Sequence, residues 1–168
     1  MAHSIELLFD DDTEATIRRL WDDLAAADIP CRIPPGRPHV TVAVADRIDP
    51  AVDDVLRPLI HRLPLRCSIG APVLFGRTNV VFTRLVVPSA ELLALHAEVH
   101  RLAAAHLNPS PMPNSLPGQW TAHVTLARRI DAGYLGPALR LTAEPAQLGG
   151  HFAGLRRWDG DARTEHPL

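Results

Sequence analysis

Apolar and polar positions along this chain alternate with a period of two in some stretches and of three to four in others. SIELLF (4–9) places Ile5, Leu7 and Phe9 on one face, which predicts a strand. Ile17, Leu20, Trp21, Leu24 and Ala25 then recur at helical spacing, with Asp12 or Thr13 as the N-cap. PCRIPPGR (30–37) breaks that helix, and PHVTVAVA (38–45) reads as a β-branched strand with Val40, Val42 and Val44 on its buried face. Asp49-Pro50 opens a second helix, whose stripe is Val52, Val55, Leu56, Leu59, Ile60 and Leu63, with Pro58 interrupting it. Extended runs over 65–75 and 79–87, joined by Gly76-Arg77-Thr78, predict a hairpin. Ser89 caps a helix carrying Leu92, Leu95, Val99 and Leu102. The proline-rich stretch 108–119 is long for a loop in a compact domain and is a candidate lid. WTAHVTLA (120–127) is another strand, followed by a weak helix near 132–140, an extended run near 146–158 and a polar tail.

The pattern repeats itself once. His-Val-Thr stands at 39–41 and again at 123–125, each time in a strand that follows a helix. Arg-Ile-Asp follows both copies, at 47–49 and 129–131, and then a helix and a strand ending near Gly76 and Gly160. This reads as a diverged internal duplication and predicts two lobes related by a pseudo-twofold axis. The whole is expected to be one bilobal domain over 1–168, within the usual size of a single domain.

Composition narrows the chemistry. The net charge of −2 lacks the cation excess that gripping a long duplex requires. All 17 basic residues are arginine, which excludes Schiff-base lysine chemistry and a P-loop. Cys31 and Cys67 form no zinc-type spacing, and Cys67 alternates with Leu65 and Ile69 as a buried thiol would. No leader-like segment or apolar run of about 20 residues is present, so a cytoplasmic protein without membrane contact is expected.

Strand alternation puts His39 and Thr41 on one surface, about 6.6–6.8 Å apart along the chain, and likewise His123 and Thr125. If the lobes face each other, two imidazoles and two hydroxyls converge. That set suits in-line cleavage of a phosphodiester, in which a base acts on the attacking oxygen and an acid on the leaving oxygen. Imidazole reaches both protonation states near neutrality, and hydroxyls can donate to the non-bridging oxygens. Nine His and nine Thr in 168 residues give about 0.5 chance His-x-Thr matches, so one match is uninformative. Two, in matching places of two half-chains, are not.

PHVTVAV and AHVTLAR resemble the paired His-x-Thr/Ser motifs of the 2H phosphoesterase superfamily, and within it the group of 2′-5′ RNA ligases and RNA 2′,3′-cyclic phosphodiesterases. The resemblance spans nearly the whole chain. It implies an α+β fold of two pseudo-symmetric lobes, each an antiparallel sheet with outer helices, around a central cleft. It implies His39 and His123 as the acid/base pair and Thr41 and Thr125 as phosphate ligands, with no cofactor. The implied reaction is hydrolysis of a ribose 2′,3′-cyclic phosphate to a 2′-phosphate, on a small cyclic nucleotide or an RNA terminus, by a monomer. The alternatives are a nucleotide-binding or RNA-end-binding module on the same fold, and 2′-5′ ligation.

Further candidates surround the motifs. Arg37 and Arg128 are candidate phosphate contacts, although strict alternation turns Arg128 away from His123, and Tyr134 and Phe9 are candidates to stack on a base. Arg156 and Arg157 alternate, so at most one faces a cleft. His96 and His100 lie at i, i+4 on a helix, a spacing that can chelate zinc, but HAEVH is not HExxH and a helix-flank pair is the plainer reading.

Overall fold

The computed structural model describes all residues, Met1–Leu168. In chain order the elements are β1 (His3–Phe9), α1 (Asp11–Ala26), β2 (His39–Ala45), β3 (Arg47–Ile48), α2 (Val52–Leu56), β4 (Leu65–Phe75), β5 (Asn79–Val86), α3 (Ala90–Ala103), β6 (Leu107–Asn108), β7 (His123–Asp131), α4 (Leu135–Leu141), β8 (Leu148–Asp159) and β9 (Thr164–Pro167). The fold is α+β. No helix is long and apolar enough to cross a membrane.

The expected two sheets are one. Seven strands form a single antiparallel sheet in the order β2-β1-β8-β4-β5-β7, with β9 beside β8. The pseudo-twofold axis runs between β4 and β8, whose first halves pair with each other, Cys67 opposite Gly150. Each then crosses into the other half of the molecule. The second part of β8 pairs with β1, and the second part of β4 pairs with β5. The last strand of each repeat thus completes the lobe of the other. This exchange is why one cluster of 33 buried residues, drawn from both halves, forms the core. The two motif strands, β2 and β7, end up as the opposite edges of the sheet.

Local chemistry explains where the elements depart from the expected pattern. α1 starts earlier than expected, because Asp10 and not Asp12 or Thr13 caps it, accepting from the Thr13 N–H at 2.9 Å. α2 stops at Leu56 and continues as a 3₁₀ turn over Arg57–Arg62, since Pro58 has no N–H to sustain an α-helix. The stripe therefore weakens: Val52, Leu56 and Leu59 are buried, while Ile60 and Leu63 are only half-buried. The polar tail is not loose. It forms β9, and His3 and the amino terminus both reach Asp161, tying the chain's ends together. Phe9, proposed as a base-stacking residue, is instead core: it is 1% exposed and stacks on Phe152 at 5.0 Å.

The stretch 108–119 is not a free lid either. It contains a 3₁₀ turn, Pro113–Ser115, and is fastened to its neighbours. The Met112 N–H donates to the Val44 carbonyl at 2.8 Å, and His96 Nε2 donates to the Ser115 carbonyl at 2.9 Å.

The axis is tightly packed where α1 meets β8. A methyl group on Gly150 would run into the hydroxyl, Cγ2 and Cβ of Thr13. Gly150→Ala should lower stability by about 1–3 kcal/mol in chemical denaturation, and adding Thr13→Ala should recover part of the loss. Unchanged stability in the single variant would contradict this packing.

Candidate active site

Both motif strands carry the same irregularity at the same place. β2 pairs Glu6 with Thr41 and Ile5 with Ala43, leaving Val42 as an extra residue. β7 pairs Thr83 with Thr125 and Phe82 with Ala127, leaving Leu126 as an extra residue. Each His-x-Thr is thus followed at once by a β-bulge, a device that re-aims side chains beside sites. The bulges also correct two expectations drawn from strict alternation. Val44 does not join Val40 and Val42 in the core; Ala43 and Ala45 do, at 0% exposure. Arg128 does not face away from His123, because the bulge restores its parity: Ala127 is buried, Arg128 is exposed, and the Arg128 charge acts on His123.

Bulged edge strands expose carbonyls that need donors. Here ring N–H groups from across the molecule supply them. Trp120, just before β7, donates to the Thr41 carbonyl at 2.9 Å. Trp21 on α1 donates to the Thr125 carbonyl at 3.0 Å. His100 on α3 donates to the Val42 carbonyl at 3.0 Å. Trp21 and His100 are equivalent, each 11 residues past the N-cap of its helix (21 − 10 and 100 − 89). These bonds tie each motif strand, at one edge of the sheet, to an element of the other repeat.

The two histidines are held alike. His39 Nδ1 lies 2.8 Å from the Arg37 carbonyl and His123 Nδ1 lies 2.7 Å from the Thr121 carbonyl. A carbonyl only accepts, so each Nδ1 carries the proton and each Nε2 is left for chemistry. His39, His123, Thr41 and Thr125 are all half-buried. Burial lowers the pKa of His123 below the ordinary imidazole value. The Thr121 carbonyl opposes this, and the charges of His39 and Arg128 push the same way as burial.

The remaining candidates separate clearly. The Arg37 guanidinium is engaged by Glu14 at 2.8 Å, and it is its backbone carbonyl that serves His39. Arg128 lies beside His123, and its backbone exchanges two 2.8 Å hydrogen bonds with Arg32. Tyr134 is 40% exposed at the start of α4. Of the arginine pair, Arg156 lies on the His39 side, and Arg157 turns to α2, where Asp53 holds it at 2.8 Å.

His96 and His100 are not a helix-flank pair. They are 2% and 7% exposed, and each gives its Nε2 proton to a carbonyl. The His96 ring stacks on Trp120 with centroids 3.9 Å apart. The one group of side chains with metal-ligand spacing is His3, Asp159 and Asp161. Its His3 Nδ1 is buried without a partner, which favours a proton on Nε2 facing Asp161 over a metal there. A groove of about 840 Å³ between the starts of α1 and α3 contains neither motif.

Sequence reasoning missed Glu6. It is 3% exposed on β1, beside Thr41, and its Oε1 lies 3.5 Å from His39 Nε2. Ser4 Oγ, at 2.6 Å, and Arg156 Nε and Nη2, at 2.7 and 2.6 Å, donate to its carboxylate. Arg156 also reaches Glu165 at 2.5 Å and lies over Trp158. The available signal was the one acid in a strand that is otherwise mostly apolar.

The 2′-5′ RNA ligase superfamily matches residues 9–161. The chain belongs to that superfamily. Its members are 2H phosphoesterases, cyclic phosphodiesterases and RNA ligases among them. No curated protein sequence matches the chain. Solved structures share its fold over nearly full length. The TT0787 protein of Thermus thermophilus is 15% identical with a TM-score of 0.62, covering 100% of this chain and 95% of that one. The MHV ns2 PDE domain is 16% identical at 0.59, covering 99% and 98%. Escherichia coli LigT is 14% identical at 0.58, covering 99% and 94%.

Burial of His96 also makes the cleft's support sensitive to acid. Its pKa is lowered to about 4 by burial and by His100, whose own is lowered by burial. The unfolded chain, with imidazoles near ~6.5, therefore binds more protons than the folded one between these values. Stability should be complete above pH ~6.5 and fall by about 2 kcal/mol from pH 7 to pH 5 through His96 alone. Chemical denaturation at the two pH values measures it, and His96→Gln should flatten the dependence.

Proposed function

We propose that the chain hydrolyses ribose 2′,3′-cyclic phosphates, on a small nucleotide or an RNA end, to the 2′-phosphate, with His39 and His123 as the acid/base pair. The observation that carries this reading is the matched pair of imidazoles, each with Nδ1 tied to the carbonyl two residues back so that Nε2 is the nitrogen left to react, on motif strands cross-linked by the two tryptophans. One Nε2 takes a proton from water as its oxygen attacks phosphorus. The other gives a proton to O3′ as the P–O3′ bond breaks. One water is consumed and no redox change occurs. Thr41 and Thr125 donate to the non-bridging oxygens, and Arg128 adds positive charge beside His123.

The solved relatives support a nucleotide-sized ligand. LigT has been crystallised with 3′-AMP and Kluyveromyces marxianus Usb1 with uridine monophosphate. The exposed Tyr134 remains the aromatic candidate for a base, since Phe9 is enclosed in the core.

Hydrolysis of 2′,3′-cyclic nucleotides should persist in EDTA and show a bell-shaped pH dependence, because one imidazole must be neutral and the other protonated. His39→Ala and His123→Ala should each reduce kcat by about 10²-fold or more. Near-wild-type turnover in either variant refutes the assignment, and binding of cyclic nucleotide without turnover in the wild type favours a binding module.

A further inference from the structure

The duplication makes the two halves of the cleft nearly equivalent, so the positions where they differ are informative. Strand pairing sets the correspondence. Glu6 lies opposite Thr41 and Arg156, while Thr83 lies opposite Thr125 and Val73. Trp158 likewise matches Phe75, and Leu8 matches Leu85. Aromatic answers aromatic and leucine answers leucine. At the positions opposite the two motif threonines, however, the charged pair Glu6–Arg156 is answered by an uncharged pair, Thr83 and Val73, joined by a 2.7 Å bond from the Thr83 hydroxyl to the Val73 carbonyl.

We infer that Glu6, braced by Arg156, keeps His39 as the proton donor of the pair and thereby makes His123 the proton acceptor. This rests on the phosphoesterase reading above. The argument is one of proton acceptors. Both ring nitrogens of His39 face one: the Arg37 carbonyl at Nδ1 and the Glu6 carboxylate at Nε2. His123 has one at Nδ1, and the ring packed nearest to it is Phe75, with centroids 4.7 Å apart. A ring between two acceptors is best accommodated as imidazolium, and a ring with one acceptor as the neutral base.

The other charges around His39 are compatible with this. Arg156 Nη2 comes within 3.5 Å of His39 Nδ1, but the Arg156 charge is met by both Glu6 and Glu165. His123 is the other titrating group coupled to it, and burial lowers the pKa of that ring. Arg37 directs its guanidinium to Glu14. At 3.5 Å, Glu6 is also beyond the 2.7–2.9 Å typical of a charge-assisted hydrogen bond. It therefore favours the charge without capturing the Nε2 proton, which stays free for the leaving oxygen. In the reaction, His123 Nε2 accepts the water proton and His39 Nε2–H moves to O3′. Exchange with solvent then restores both rings.

Ring-nitrogen NMR of the full chain with ¹⁵N-labelled histidine, near pH 7 and without substrate, tests this independently of turnover. The expected result is protons on both nitrogens of His39 and on Nδ1 alone of His123. Equal or reversed states overturn the proposal. In Glu6→Gln, His39 should lose its Nε2 proton while His123 is unchanged; an unaltered His39 removes Glu6 from the account. Glu6→Asp keeps the charge on Arg156 but withdraws the carboxylate by one methylene. It should show the same change in smaller size if Glu6→Gln does not fold. Kinetics supply the second arm. With a 4-nitrophenyl phosphodiester, whose leaving group needs no proton, His39→Ala should lose at least tenfold less activity than it does on the cyclic nucleotide. His123→Ala should lose similar activity on both substrates, and the opposite pattern overturns the assignment. Absence of turnover in the wild type would end the phosphoesterase reading, while the NMR result would still decide whether Glu6 sets the proton order.

Discussion

The site depends on satisfying the backbone of two bulged edge strands. A bulge follows each His-x-Thr, and on the same two edge strands the Thr41, Val42 and Thr125 carbonyls each accept a ring N–H. Left bare in a half-buried cleft, each would cost on the order of 1–3 kcal/mol. Trp120, His100 and Trp21 supply the donors, and each comes from the other repeat. Satisfying these carbonyls and tying the two repeats together are therefore the same act. The geometry of the cleft is a consequence of where these carbonyls find N–H groups.

That arrangement explains how a duplicated scaffold acquires direction. Two equivalent lobes would give two equivalent histidines, whereas in-line displacement needs a donor on one side of phosphorus and an acceptor on the other. The exchange of β4 and β8 between lobes places residues from both repeats beside each motif. A change at one strand position, Glu6 against Thr83, with its neighbour Arg156 against Val73, is enough to distinguish the halves while the shared core remains common to both.

Much of this was legible in the residues. The duplication, the motif strands and the hairpin turn at Gly76 all follow from local pattern, and the cap at Ser89 does so as well; the cap expected at Asp49 does not form, since α2 starts later with Ala51 as N-cap and Asp49 only accepts from the Ala51 N–H in the turn before it. What was not legible is non-local. A bulge is a mismatch between two strands, so the parity of Val44 and Arg128 cannot be read from either strand alone. The single sheet requires β4 and β8 to cross between lobes, and no residue within them announces it. Phe9 and Glu6 sit on the same strand, one enclosed by Phe152 and one facing His39, and only pairing separates their roles. His96 and His100 have the spacing of a chelate, yet the carbonyls they serve lie 19 and 58 residues away.

The central claim is that His39 and His123 address a single phosphorus from opposite sides. The most direct measurement is a crystal structure with vanadate and a ribonucleoside bound, read for contacts to both rings. The account predicts one vanadium centre with His39 Nε2 and His123 Nε2 each within hydrogen-bond distance of opposite apical oxygens, and the Thr41 and Thr125 hydroxyls on the equatorial ones. Vanadate held by one histidine alone, or two ions in separate pockets, would contradict it.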